Sequence, residues 1–223
     1  MKKFLTMLLV ILFFFSGNIS SVLAGREDPG VFIKRMLLEA SQARKEKKSS
    51  EEKRLVVEEF VKRAMDLRGI AMRALGGNLA RELSSEQKAE YFSLFLEYFL
   101  KYNSNIDSLV EASSVTFNES SRTCTGNDYV QIFGIMLSKD SECKVWFGVQ
   151  WEPSRDTWVI SNSGVQGLDN TVVIYQTEFN AFVINGNPKR SVEAINSYLK
   201  CRLQSCGIEE CKSKQLAARR GAG

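Results

Sequence analysis

Five cysteines and a complete absence of histidine set the chemistry open to this chain. Without an imidazole, the Ser-His-Asp and Cys-His nucleophile arrangements and the two-histidine zinc motifs are all excluded. Cys201, Cys206 and Cys211 are evenly spaced near the C-terminus. Their bland reading is a small loop closed by one disulfide. A metal site is the sharper reading, but three thiolates at this spacing lack the usual pattern of a zinc centre. Two carboxylate pairs, Glu58 with Glu59 and Glu209 with Glu210, are adjacent in sequence. Neighbours on a helix point about 100° apart, so both pairs read as solvated faces rather than as an acid and its base. Gly76 and Gly77 follow a helix and precede no strand, and no phosphate-cradling or dinucleotide loop is present. The chain therefore reads as a non-enzyme with no cofactor and no metal.

The cysteines fit an exported protein, and their odd number leaves at least one without an intramolecular partner. Residues 1–24 read as a secretory signal peptide. Lys2 and Lys3 form its basic start, Phe4 to Phe15 its apolar centre, and Val22, Leu23 and Ala24 its small-residue exit. The apolar run is about a dozen residues, short of the roughly 20 needed to cross a bilayer. Removing Lys2, Lys3 and the five basic and two acidic residues of the 201–223 tail from the chain's 30 basic and 26 acidic residues leaves 23 against 24. So nearly neutral a body argues against nucleic acid, whose binding rests on a concentrated basic patch. Asn118, Glu119 and Ser120 spell a glycosylation acceptor, a pattern common by chance.

The elements that would position any site begin with helices. Asp28, Pro29 and Gly30 open one that carries Val31, Phe32, Met36, Leu37 and Ala40. A basic, solvated stretch follows from Arg44 to Ser50, then Ser49 and Glu52 form a capping box ahead of Leu55, Val56, Phe60, Val61 and Ala64. A short apolar helix closes at Leu75, Gly76 and Gly77. Ser84 with Gln87 then caps a long helix on which Tyr91, Phe92, Phe95, Phe99 and Tyr102 recur at helical spacing. Asn103 to Glu111 reads as a turn or short helix. From Val115 the period changes to two: strands begin at Val115 and Phe117, then run Tyr129 to Leu137, Lys144 to Trp151 and Thr157 to Asn162, with turns at Lys139–Asp140 and Pro153–Asp156. Short turns imply an antiparallel meander. Val145, Phe147, Val149 and Trp151 share its core face, which the aromatic helix is expected to cover. Cys124 and Cys143 fall by opposite connections, separated by a strand of about 30 Å, too far for a bridge. Val172 to Phe182 and Arg190 to Lys200 complete the helices, and Lys212 to Arg220 reads as a disordered, solubilising tail. Helices, then strands, then helices imply a single α+β domain over residues 25–200.

Two blocks of this pattern resemble the MlaC, or toluene-tolerance, family of phospholipid-binding proteins. The first comprises Asp66, Arg68, Ala71, Ala74, Leu75 and Gly76, then Leu83, Ser84, Glu86, Gln87, Phe95, Glu97 and Tyr102. The second comprises Phe147, Trp151, Trp158, Ile160, Val165, Gly167, Leu168 and Phe179. The resemblance runs from about Asp28 to Leu199. It implies a curved four-stranded antiparallel sheet wrapped by helices, an NTF2-like cone with an apolar pocket. It also implies a periplasmic carrier moving phospholipid between an outer-membrane lipoprotein complex and an inner-membrane ABC transporter complex. The chain departs from the family pattern at Leu79, an aromatic elsewhere, and at Asn162, Gln166 and Gln176, where an acid, Glu and Arg are usual. The cysteine-bearing tail has no counterpart in that pattern.

The residues themselves support a container. The aromatic helix also carries Leu94, Leu96, Tyr98 and Leu100, so it is apolar nearly all round and must be covered on every side. A cavity between this helix and the sheet would suit a phospholipid or similar two-chain amphiphile, each buried methylene contributing about 0.8 kcal/mol. By face, its expected lining is Phe60, Leu67, Phe95, Phe99, Ile132, Phe147, Val149, Ile160 and Val172, in a monomer. The competing reading is a non-enzymatic envelope adaptor or protein-binding module with a filled core and no pocket.

Overall fold

The computed structural model describes residues 26–102, 110, 114–124, 128–137, 142–184, 186–204 and 206–220. The proposed signal peptide, the Lys139–Asp140 turn and all but Val110 of the turn proposed at Asn103–Glu111 lie outside these residues, as do the side chains of Asn118–Ser120.

Helix α1, Pro29–Lys45, starts where the Asp28 carboxylate accepts the Gly30 and Val31 N–H groups at 2.9 and 3.1 Å. It buries Phe32, Ile33, Met36, Leu37 and Ala40, one stripe at helical spacing. Helix α2, Ser50–Ala64, opens with the expected capping box: the Glu52 N–H donates to Ser49 Oγ while the Ser49 N–H donates to Glu52. Helix α3, Leu67–Leu75, is capped by Asp66, whose carboxylate accepts the Gly69 N–H at 2.8 Å, and it ends at Gly76, where φ is +91°. A six-residue helix α4, Gly77–Glu82, follows, which sequence periodicity did not resolve. Ser84 and Gln87 then cap α5, Ser85–Tyr102.

The strands are β1 Ser114–Cys124, β2 Tyr129–Leu137, β3 Glu142–Glu152 and β4 Thr157–Val165, in the order β1-β2-β3-β4 and antiparallel throughout. This is the α+β meander the alternating pattern implies. Val145, Phe147, Val149 and Trp151 are buried while Lys144 and Gln150 are exposed, so β3 has the expected core face. Cys124 pairs with Val130 and Cys143 with Met136, six β2 residues or about 20 Å apart along the strand. That is less than the whole strand but still beyond a disulfide.

Helices α6, Thr171–Asn180, and α7, Pro188–Leu203, close the domain. The layer over the sheet corrects one expectation. The elements against it are α1, α2, α3 and α6, whereas α5 packs chiefly on α7 and α3 and shares ring contacts with α6. Its rings find aromatic partners on neighbouring helices, and the phenol of Tyr98 donates to the Glu178 carboxylate on α6. A second correction concerns the tail, which forms helix α8, Ile208–Arg220, joined to α7 by a Cys201–Cys211 disulfide. The bridge and the Glu210–Lys214 pair at 2.6 Å, four residues apart, favour helix over disorder.

The first turn of α1 is tied to the sheet through the Trp158 indole N–H, which donates to the Glu27 carbonyl at 2.6 Å, and through Arg26, stacked 4.3 Å over the Trp151 ring. Helix α3 is tied by the Asp66 N–H, which donates to the Ile160 carbonyl at 2.9 Å, and by Arg73, which reaches the Ser161 carbonyl at 2.6 Å. These links hold the helical layer against β4.

Candidate functional site

A cavity of about 900 Å³ is lined by a stripe that crosses all four strands near the β2–β3 connection. That volume is near the top of the range of small-molecule sites. On the core face the stripe comprises Phe117, Gly134, Val145 and Val165, which pair across the sheet in that order. Phe133, Ile135 and Trp146, which alternate to the opposite face of the sheet, and Leu168 beyond β4 extend the apolar lining, and Lys144 is the charged residue among the described ones. Gly134 is required by close approach: a Cβ there would lie 2.7 Å from the Phe117 ring. The lining is thus mostly apolar and drawn from both faces of the sheet at this end, with Lys144 on the exposed face.

All nine residues expected to line a pocket are buried, at 0 to 8% exposure, in one hydrophobic cluster. None lines this cavity. Ile132 pairs with Phe147, the next core-face pair beyond Gly134 and Val145, and Val149 pairs with Ile160 one step deeper. The Phe147 ring meets Phe117 edge-on at 6.1 Å, which connects these rows to the cavity wall. Phe60, Leu67 and Val172 come from α2, α3 and α6, the helices facing the sheet. Phe95 and Phe99 sit in the α5 aromatic cluster instead, against Tyr175 at 5.1 and 5.9 Å. The residues that sequence reasoning missed are Phe117, Gly134 and Lys144. A glycine inside the apolar β2 run was the legible signal, since strand glycines often mark a close approach.

The α5 cluster is a different environment. Glu178 on α6 accepts the phenolic hydrogens of Tyr98, at 2.7 Å, and of Tyr198, so its carboxylate is held by two buried rings. Burial, reinforced by that carboxylate, pushes the Tyr98 phenol up to about 12 and raises Tyr198 as well. Tyr91 donates to the Ala71 carbonyl at 2.9 Å, and burial raises it too. A smaller cavity of about 470 Å³ borders this cluster, lined by Tyr98, Tyr102, Tyr175 and Glu178 together with Arg202, Ile208 and Lys212.

The departures from the family pattern are tied into the fold. The Asn162 side-chain amide donates to Asn170 at 3.1 Å, and Asn170 in turn caps α6 through the Val173 N–H. Gln176 donates to the Arg73 carbonyl at 2.8 Å. Neutral hydrogen bonds therefore stand where an acid and a base are usual.

The family model described as MlaC protein matches residues 33–197, most of the chain. The chain belongs to the MlaC family. A solved structure, the phospholipid-binding protein from Ralstonia solanacearum in complex with a phospholipid, superposes with a TM-score of 0.55 at 14% identity, over 81% of this chain and 92% of that one. No curated protein matches the sequence. This member of the MlaC family shares the fold of that structure. Among its described residues no helix is long and apolar enough to cross a membrane.

Proposed function

We propose that the chain is a non-enzymatic periplasmic carrier that holds the acyl chains of a phospholipid and shuttles it between outer-membrane lipoprotein and inner-membrane ABC transporter complexes. The observation that carries this reading is the 900 Å³ apolar cavity across the sheet of a chain belonging to the MlaC family. The phospholipid bound by the Ralstonia solanacearum protein of the same fold supports it. In this reading the chains enter at Phe117, Val145 and Val165 and extend between the Ile132–Phe147 and Val149–Ile160 rows and the helices bearing Phe60, Leu67 and Val172. Phe95 and Phe99 back that layer from α5. At about 0.8 kcal/mol per methylene, two chains supply ample driving force with no catalytic group. Lys144 at the edge is placed to meet a headgroup phosphate. Because the deeper rows are buried in the hydrophobic cluster, loading requires the helical layer to shift. Docking to a membrane complex would reverse that shift and release the lipid.

The test is native mass spectrometry of protein purified from a bacterial periplasm. Co-purifying phospholipid is expected. A lipid-free preparation that also takes up no labelled phospholipid from vesicles would sink the proposal.

A further inference from the structure

Three sulfur atoms converge where α7 meets α8. Cys201 and Cys211 are joined, with their Cα atoms 5.8 Å apart, and Cys206 between them carries a free thiol. All three sulfurs lie within 4.8 Å of one another. Cys211 is fully buried, whereas Cys201 and Cys206 are half-buried. A disulfide with a thiol at this distance has the arrangement that exchange requires, a thiolate facing a sulfur it can attack. Burial of Cys211 keeps thiols from solution away from that side of the bond, which leaves Cys206 as the nucleophile already inside.

We propose that the tail is an intramolecular thiol–disulfide exchange site in which Cys206 attacks Cys211. The Cys206 thiol loses its proton to water, and the thiolate donates an electron pair to the Cys211 Sγ. The Cys201–Cys211 bond breaks, and Cys201 leaves as a thiolate that is reprotonated by water. One disulfide is exchanged for another, so neither oxidant nor reductant is needed. The direction follows from burial. Attack on Cys201 would expel a thiolate at fully buried Cys211, where an isolated charge is costly, whereas attack on Cys211 expels it at half-exposed Cys201. The Arg202 guanidinium donates to the Cys206 carbonyl at 2.6 Å, which fixes the backbone and leaves the side chain to rotate toward Cys211.

Migration has a structural consequence. The Cys201–Cys211 bond ties α8 to α7, while a Cys206–Cys211 bond is confined to the start of α8. Exchange therefore unclamps α8, and with it Ile208 and Lys212, two walls of the smaller cavity. The inference is independent of the lipid reading.

The experiment is a brief pulse of N-ethylmaleimide on the oxidised full chain in its native state, followed by trypsin and mass spectrometry without reduction. Cleavage after Lys200, Arg202 and Lys212 separates Cys201 from the peptide Leu203–Lys212, which carries the other two tail cysteines. Label is expected on Cys206 in one population and on Cys201 in another, the latter accompanied by Leu203–Lys212 closed by its own internal disulfide. In Cys206→Ser the Cys201 label should vanish. Label confined to Cys206, label on Cys211, or Cys201 label that persists in Cys206→Ser would each overturn the proposal. As a second variant, Cys201→Ser should form the Cys206–Cys211 bond and leave no reactive tail thiol. Labelling of both Cys206 and Cys211 in that variant would also overturn it.

Discussion

The two aromatic regions of this protein do opposite work. Around α5 the rings of Tyr91, Phe95, Tyr98, Phe99, Tyr175, Phe179 and Tyr198 contact one another at 5.1 to 6.4 Å, and of the two cavities only the smaller borders them. Two of their hydroxyls are locked onto Glu178. Across the sheet, Phe117, Phe133 and Trp146 border a 900 Å³ space instead. The difference is in what faces each ring. Helical rings meet other rings from α6 and α7, while no described helix residue lines the space at the end of the sheet. A high density of aromatics therefore marks the filled part of the molecule, and the open volume lies where strands border it without a described helix residue in the lining.

That contrast can be broken by experiment. Phe179→Ala removes a fully buried ring that touches Tyr91, Phe95 and Tyr175. The expected loss is about 3–5 kcal/mol in urea unfolding, with the lipid load of the remaining folded protein unchanged. A fall in lipid load per folded molecule would show that the ring cluster belongs to the container. Alkaline titration should produce a smaller effect. An unfolded tyrosine ionises near pH 10 and folded Tyr98 near 12, so between these values the unfolded state has lost a proton that the folded state keeps. Stability should therefore be intact below pH 10 and fall as pH rises toward 12, with Tyr98 alone contributing roughly 2–3 kcal/mol of the loss. Tyr98→Phe should flatten that part of the profile, and an unchanged slope would contradict the assignment. The smallest effect on stability is expected at the sheet. Val165→Trp, directed into the cavity, should weaken phospholipid retention at least about tenfold, or about 1.4 kcal/mol, while the melting temperature stays within a few degrees. Unaltered lipid uptake would move the container elsewhere.

Much of the fold was legible locally. The caps at Asp28, Ser49 and Ser84 sit where side-chain oxygens of the right reach precede apolar runs, and the change from helical spacing to alternation after Val115 marks the sheet. The layer order was not legible. Tyr91 to Tyr102 is apolar nearly all round, so its pattern says that it is covered but not by what, and the sheet was the wrong choice. The same ambiguity governs the nine proposed lining residues. Each was recognisable as buried, but a buried side chain beside a cavity and one in a filled core share the same periodicity. Gly134 was legible as a point of close approach, but the open volume beside it was not, because a gap is a property of what the neighbouring elements fail to fill.

The sequence by itself determined the α+β order, the meander, the absence of histidine-based chemistry and the family, since each rests on residue type, local spacing or motif order. The tertiary structure decided which helices cover the sheet, where the open volume lies, and that Cys201 rather than Cys206 bonds Cys211. Those outcomes depend on distances between segments far apart in the chain or on opposite sides of a turn, and such distances are set by the packing of whole faces rather than by any local pattern.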